Sequence, residues 1–114
     1  MDLLNPSIEQ LVAEIVALNH AWKEACELFD ERENSPLAQS LRDLKTCKQI
    51  RLLHSYAPLG KVYLALDDQL SDEPLYSLLL QESIDNRWNV EHLPVRVAEE
   101  YLSSAELERF TRNN

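Results

Sequence analysis

Four cations recur at three-residue steps: Arg42, Lys45, Lys48 and Arg51. Three-residue steps drift around a helix, yet all four stay within about half of its circumference. Such a strip could dock an acidic partner, or it could pair internally with an acidic neighbouring helix and the Asp67–Asp68 region. A second charged group holds Asp67, Asp68, Asp72 and Glu73. It could grip a basic partner or hold a divalent cation through carboxylate oxygens. It lacks the alternating ligands, central glycine and closing glutamate of a calcium loop, so it reads as a solvated, charged loop and not a metal site.

The residues with catalytic or metal-binding capacity are sparse. His20, Glu24 and Cys47 could face one another across a helical pair and hold a transition metal. No H-x-x-x-H, E-x-x-H or C-x-x-C spacing supports that, and no metal or cofactor is expected. No G-x-S-x-G nucleophile elbow occurs. The chain contains one glycine, Gly60, so the glycine-rich phosphate cradles are absent as well. The expectation is a protein that is not an enzyme.

Two amphipathic helices must carry most of these residues. Asn5 and Pro6 form a capping pair, and Ile8, Leu11, Val12, Ile15, Leu18, Trp22, Ala25 and Phe29 trace one face of a helix over about 6–30. Ser35 and Pro36 repeat the start signal for a helix over about 36–56, with Leu37, Leu41, Leu44, Cys47 and Ile50 as its apolar face. The short polar connection makes the two antiparallel neighbours. In that pairing Trp22 packs in the core against Leu41 and Leu44. Cys26 and Cys47 lie too far apart for a disulfide.

Residues 61–82 admit two readings. Val62, Leu64 and Leu66, then Tyr76, Leu78 and Leu80, alternate as a β-hairpin near 62–67 and 75–80 would. The scarcity of glycine and the leucine, alanine and glutamine content tilt the reading to helices instead. Asp85–Asn89 is turn chemistry around Trp88; Pro94 opens a short helix to about Leu102, and Ser103 with Glu106 forms a capping box for a last one. The expected fold is therefore mainly α, a helical hairpin packed with shorter C-terminal helices, with α+β as the alternative.

With 114 residues, the chain should form a single domain over 1–114. Its formal charge of −9 opposes direct binding to nucleic acid or anionic lipid. Residues 52–60 form the longest stretch without a charged side chain, too short for a membrane span. The opening residues lack the basic segment of a secretory leader, and two cysteines do not make a disulfide framework, so a cytoplasmic location is expected. Leu75, Tyr76, Leu78, Leu79 and Leu80 crowd six positions, more apolar surface than a small domain readily buries; Leu75 and Leu79 are candidate contacts for a partner.

These features favour an acidic, non-enzymatic protein–protein interaction module of adaptor, regulator or inhibitor type. Its partner would be another protein, basic or otherwise, or a second copy of the chain. In size, acidity and helicity the chain is similar to immunity proteins, antitoxins, secretion chaperones and nucleic-acid mimics, a likeness of class that no motif carries. It implies an inhibitor of a basic protein as one alternative; a small metal-dependent enzyme using His20, Glu24 and Cys47 is the other.

Overall fold

Both long helices start where a serine receives the first free backbone N–H groups. Ser7 Oγ accepts from Gln10 N at 3.1 Å, and Ser35 Oγ from Ala38 N at 2.9 Å. Pro36 then occupies the first helical position, where its missing N–H costs nothing. The computed structural model describes residues 7–29, 35–67 and 72–111. Within them the order is α1 (Ile8–Phe29), α2 (Pro36–Tyr56), β1 (Val62–Asp67), β2 (Leu75–Ile84), β3 (Arg87–Pro94), α3 (Val95–Tyr101) and α4 (Ser104–Thr111). The expected cap at Asn5 and Pro6 lies outside the described residues.

The fold is α+β and helix-rich, with the two long helices packed together and a three-stranded antiparallel sheet in the order β1-β2-β3. The mainly α expectation is thus corrected over 61–82, where the hairpin alternative holds. Val62 pairs with Leu80, and Leu64 with Leu78; all four are buried on one face of the sheet. Burial against the helices outweighs the helix propensity of leucine, because a strand of alternating leucines can place every second one in the core.

The scarcity of glycine misled because other residues supply the left-handed conformations. Asp85 and Asn86, at φ 51° and 66°, make the two-residue turn between β2 and β3. Short polar side chains tolerate that region, and two such residues in sequence match the twist of a hairpin. Turn chemistry therefore covers Asp85–Asn86 alone, and Arg87–Asn89 belong to β3. Gly60 serves the other reversal, at φ 73° between α2 and β1.

One core unites the elements. Leu11, Val12, Ile15 and Val16 of α1 meet Leu52 and Leu53 of α2, then Leu64, Leu78, Val90 and Leu93 of the sheet. Ala98, Leu102 and Phe110 from the last two helices complete it. The Ser103–Glu106 capping box forms as expected: Glu106 N donates to Ser103 Oγ at 3.1 Å, and Ser103 N to Glu106 Oε1 at 3.0 Å. Glu106 Oε2 also meets His54 Nε2 at 3.0 Å, tying α4 to the end of α2.

The face of α2 is the second correction. Of the expected face Ile50 is buried, but Leu37 and Leu44 are 49% and 50% exposed and Cys47 is exposed, whereas Ala38, Lys45, Thr46, Gln49, Leu52 and Leu53 are buried. The buried stripe runs about a third of a turn from the leucine stripe. Beside Ile50, Leu52 and Leu53 it contains polar side chains that apolar periodicity does not register. Lys45 Nζ donates to Asn19 Oδ1 at 3.0 Å, and Gln49 Nε2 donates to Val90 O at 3.1 Å and His92 O at 3.4 Å. Trp22 is accordingly half-buried under Lys45, not enclosed between Leu41 and Leu44.

Candidate functional site

Asn19 interrupts an otherwise apolar stretch of α1, one turn beyond Ile15, and is only 4% exposed. Its amide turns to α2 and receives the Lys45 ammonium. Trp22 lies one turn further on, with Lys45 Nζ 5.3 Å from its ring centroid. The indole Nε1 is buried and has no hydrogen-bond acceptor. Lys45 itself is 7% exposed, forms its hydrogen bond to a neutral oxygen, and makes no ion pair with a described carboxylate. Burial pushes its ammonium below the ordinary lysine range; Glu91 opposes that shift, while Arg42 and Lys23 add to it.

These three side chains form one wall of a cavity of about 510 Å³ between the helical hairpin and the β3–α3 corner. The corner is shaped by a bulge. Ser77 pairs with His92 and Leu79 with Asn89, so Val90 and Glu91 together stand opposite Leu78. Glu91 takes φ 64° there, and the Gln49 side chain binds the carbonyls on either side of it. The polypeptide thereby turns Glu91 and His92 to the cavity. Pro94 and Val97 line it from the corner, and Asp72, Glu73 and Leu75 from the start of β2. Arg96 and Glu73 form an ion pair across this edge.

The charged residues singled out in the sequence divide among different places. Arg42 and Lys45 line the cavity, whereas Lys48 pairs with Glu14 of α1 at 3.2 Å and Arg51 lies exposed on the same side, its charge also felt by Glu14. Lys48 is the main reason the Glu14 carboxyl stays below its ordinary value. The strip thus splits between the cavity and the Glu14 side of α1. Asp72 and Glu73 reach the cavity, Asp67 is half-buried at the end of β1, and Asp68 lies outside the described residues. Leu75 lines the cavity; Leu79 is half-buried opposite Tyr63, on the sheet face away from Leu78 and Leu80.

Sequence reasoning missed Asn19, Glu91, His92 and Arg96 as neighbours of Lys45. Asn19 alone left a signal, a polar side chain within an apolar helical run; the others depend on the bulge. His20, Glu24 and Cys47 are all exposed. Among the described residues, no three histidine, cysteine or acidic side chains group as metal ligands. A smaller cavity of about 370 Å³ lies beside Gly60 and Ser83, and its charged residues, Glu9, Lys61 and Glu82, are all exposed. No helix among the described residues is long and apolar enough to cross a membrane. Comparison with protein families, with curated proteins and with solved structures finds no match.

Proposed function

We propose that the protein is a non-enzymatic cytoplasmic module of adaptor or regulator type that binds another protein through the outer face of α2. The observation that carries this reading is the leucine stripe that α2 leaves outside the core. Leu37 and Leu44 stand half exposed two turns apart, with Leu41 between them, while Lys45, Thr46 and Gln49 are buried. Spacings of four and three make Leu37, Leu41 and Leu44 one stripe, the pattern by which an apolar helix face engages a partner helix. A monomer gains nothing from exposing these side chains, whereas a covering partner would remove them from water.

A photo-crosslinking residue placed at position 44 tests the reading in the native host, with one at position 100 of α3 as control. The expected result is a discrete adduct at position 44 that disappears when Leu37→Glu is introduced. Sedimentation of the purified chain distinguishes a second copy from a different protein. Adducts equal to the control, together with a monomer up to about 1 mM, would overturn the proposal.

A further inference from the structure

We infer that the cavity walled by Trp22, Lys45 and the β3–α3 corner is a binding site for a small organic monocarboxylate with an apolar body. The walls carry Lys23, Arg42, Lys45 and Arg96 against Asp72, Glu73 and Glu91. Among the described lining residues one positive charge is in excess, in a chain whose formal charge is −9. That local reversal centres on the most buried of the cations. Lys45 bonds directly to a neutral amide oxygen and lies over an aromatic face; Glu91 acts on it only through space, so its ammonium forms no direct ion pair with a described carboxylate. The neighbouring indole N–H likewise has no acceptor. A carboxylate is the group that complements the buried ammonium, and one negative charge neutralises the described lining.

The rest of the lining selects the body of the ligand. Trp22, Leu75, Pro94 and Val97 contribute apolar side chains to the lining. A volume of about 510 Å³ falls in the range of small-molecule sites and exceeds the needs of a bare inorganic anion. The site is built on rigid elements: Asn19 orients Lys45, and Gln49 fixes the bulge that presents Glu91 and His92. It does not depend on the outward leucines of α2 and stands or falls apart from them.

The probe is phenylacetate, with neutral phenylacetamide and inorganic phosphate as comparisons. Binding is read from the Trp22 indole N–H resonance in a Trp88→Phe background, since Trp88 is half exposed away from this cavity. Phenylacetate should shift that resonance saturably. Phenylacetamide should bind at least about tenfold more weakly, the loss expected when a charge-assisted hydrogen bond becomes a neutral one. Lys45→Met should abolish the preference for the acid while leaving the circular dichroism spectrum unchanged. Val97→Asp, a like charge on the opposite wall, should weaken phenylacetate about tenfold by itself. Equal affinity for the acid and the amide, undiminished binding to Lys45→Met, tighter binding of phosphate than of phenylacetate, or no saturable shift at about 10 mM would each overturn the inference.

Discussion

Replacing Gln49 tests the polar clamp between α2 and β3, and the choice of replacement separates its parts. Gln49 is fully buried; its amide N–H groups serve Val90 O at 3.1 Å and His92 O at 3.4 Å, and its own Oε1 has no donor. Gln49→Leu keeps most of the volume and removes both hydrogen bonds. Stranding the Val90 carbonyl costs about 1–3 kcal/mol, the longer bond about 0.5, and loss of the unsatisfied oxygen returns about 1. The net expectation is a loss of about 0.5–2.5 kcal/mol from a stability of about 5–15. Gln49→Glu is sharper, because its outcome depends on pH. Protonated, the new carboxyl can still donate to one carbonyl. Ionised, it would be a buried charge facing two carbonyl oxygens, so its pKa in the folded protein must rise above the unfolded value of about 4.3. The folded state then holds the proton longer, and stability relative to wild type falls as pH rises from about 4.3 through that raised pKa. A rise of about two units corresponds to about 2.7 kcal/mol. Urea unfolding followed by circular dichroism, on variant and wild type at about pH 4.5 and about pH 8, measures the difference. A deficit equal at both pH values to within about 0.5 kcal/mol, with Gln49→Leu as stable as wild type, would show that Gln49 does not hold β3.

Lys45→Met should stabilise the protein by about 1 kcal/mol at neutral pH, since it removes a desolvated ammonium while keeping the stem. Because the Lys45 pKa is lowered on folding, wild-type stability should rise as pH climbs toward the ordinary lysine value of about 10.4, and this gain should be missing in the variant. For Glu106→Ala, hydrogen bonding from Ser103 holds the native carboxyl below its ordinary value, so the side chain stabilises above about pH 4.3 and less as pH falls. Thermal melts should show the gap between Glu106→Ala and wild type closing between about pH 6 and about pH 3. In the β2–β3 turn, Asn86→Gly should raise stability by about 0.5–1 kcal/mol and Asn86→Val lower it by about 1–2, because the native φ is 66°; equal melting temperatures would refute the turn geometry.

The sequence by itself determined the elements whose signals are local. The Ser35–Pro36 start, the Ser103–Glu106 box and the periodic apolar run of α1 each rest on residues within a few positions of one another. They place both long helices and the last one to within two or three residues. The antiparallel pairing of the first two follows from their short connection. Tertiary structure decided what depends on partners distant in the chain. Val62 and Leu64 are strand residues because Leu80 and Leu78 lie beside them. Asp85, Asn86 and Glu91 adopt left-handed conformations that their types permit but do not require. The facing of α2 was beyond the pattern because two of its polar residues find partners inside: Asn19 meets Lys45 across 26 positions, and Val90 meets Gln49 across 41. Apolar periodicity counts a lysine and a glutamine as surface, yet burial is set by whether a hydrogen-bonding partner waits inside. That partner, an interrupted helix face for one and a bulged strand for the other, exists only once the chain has folded.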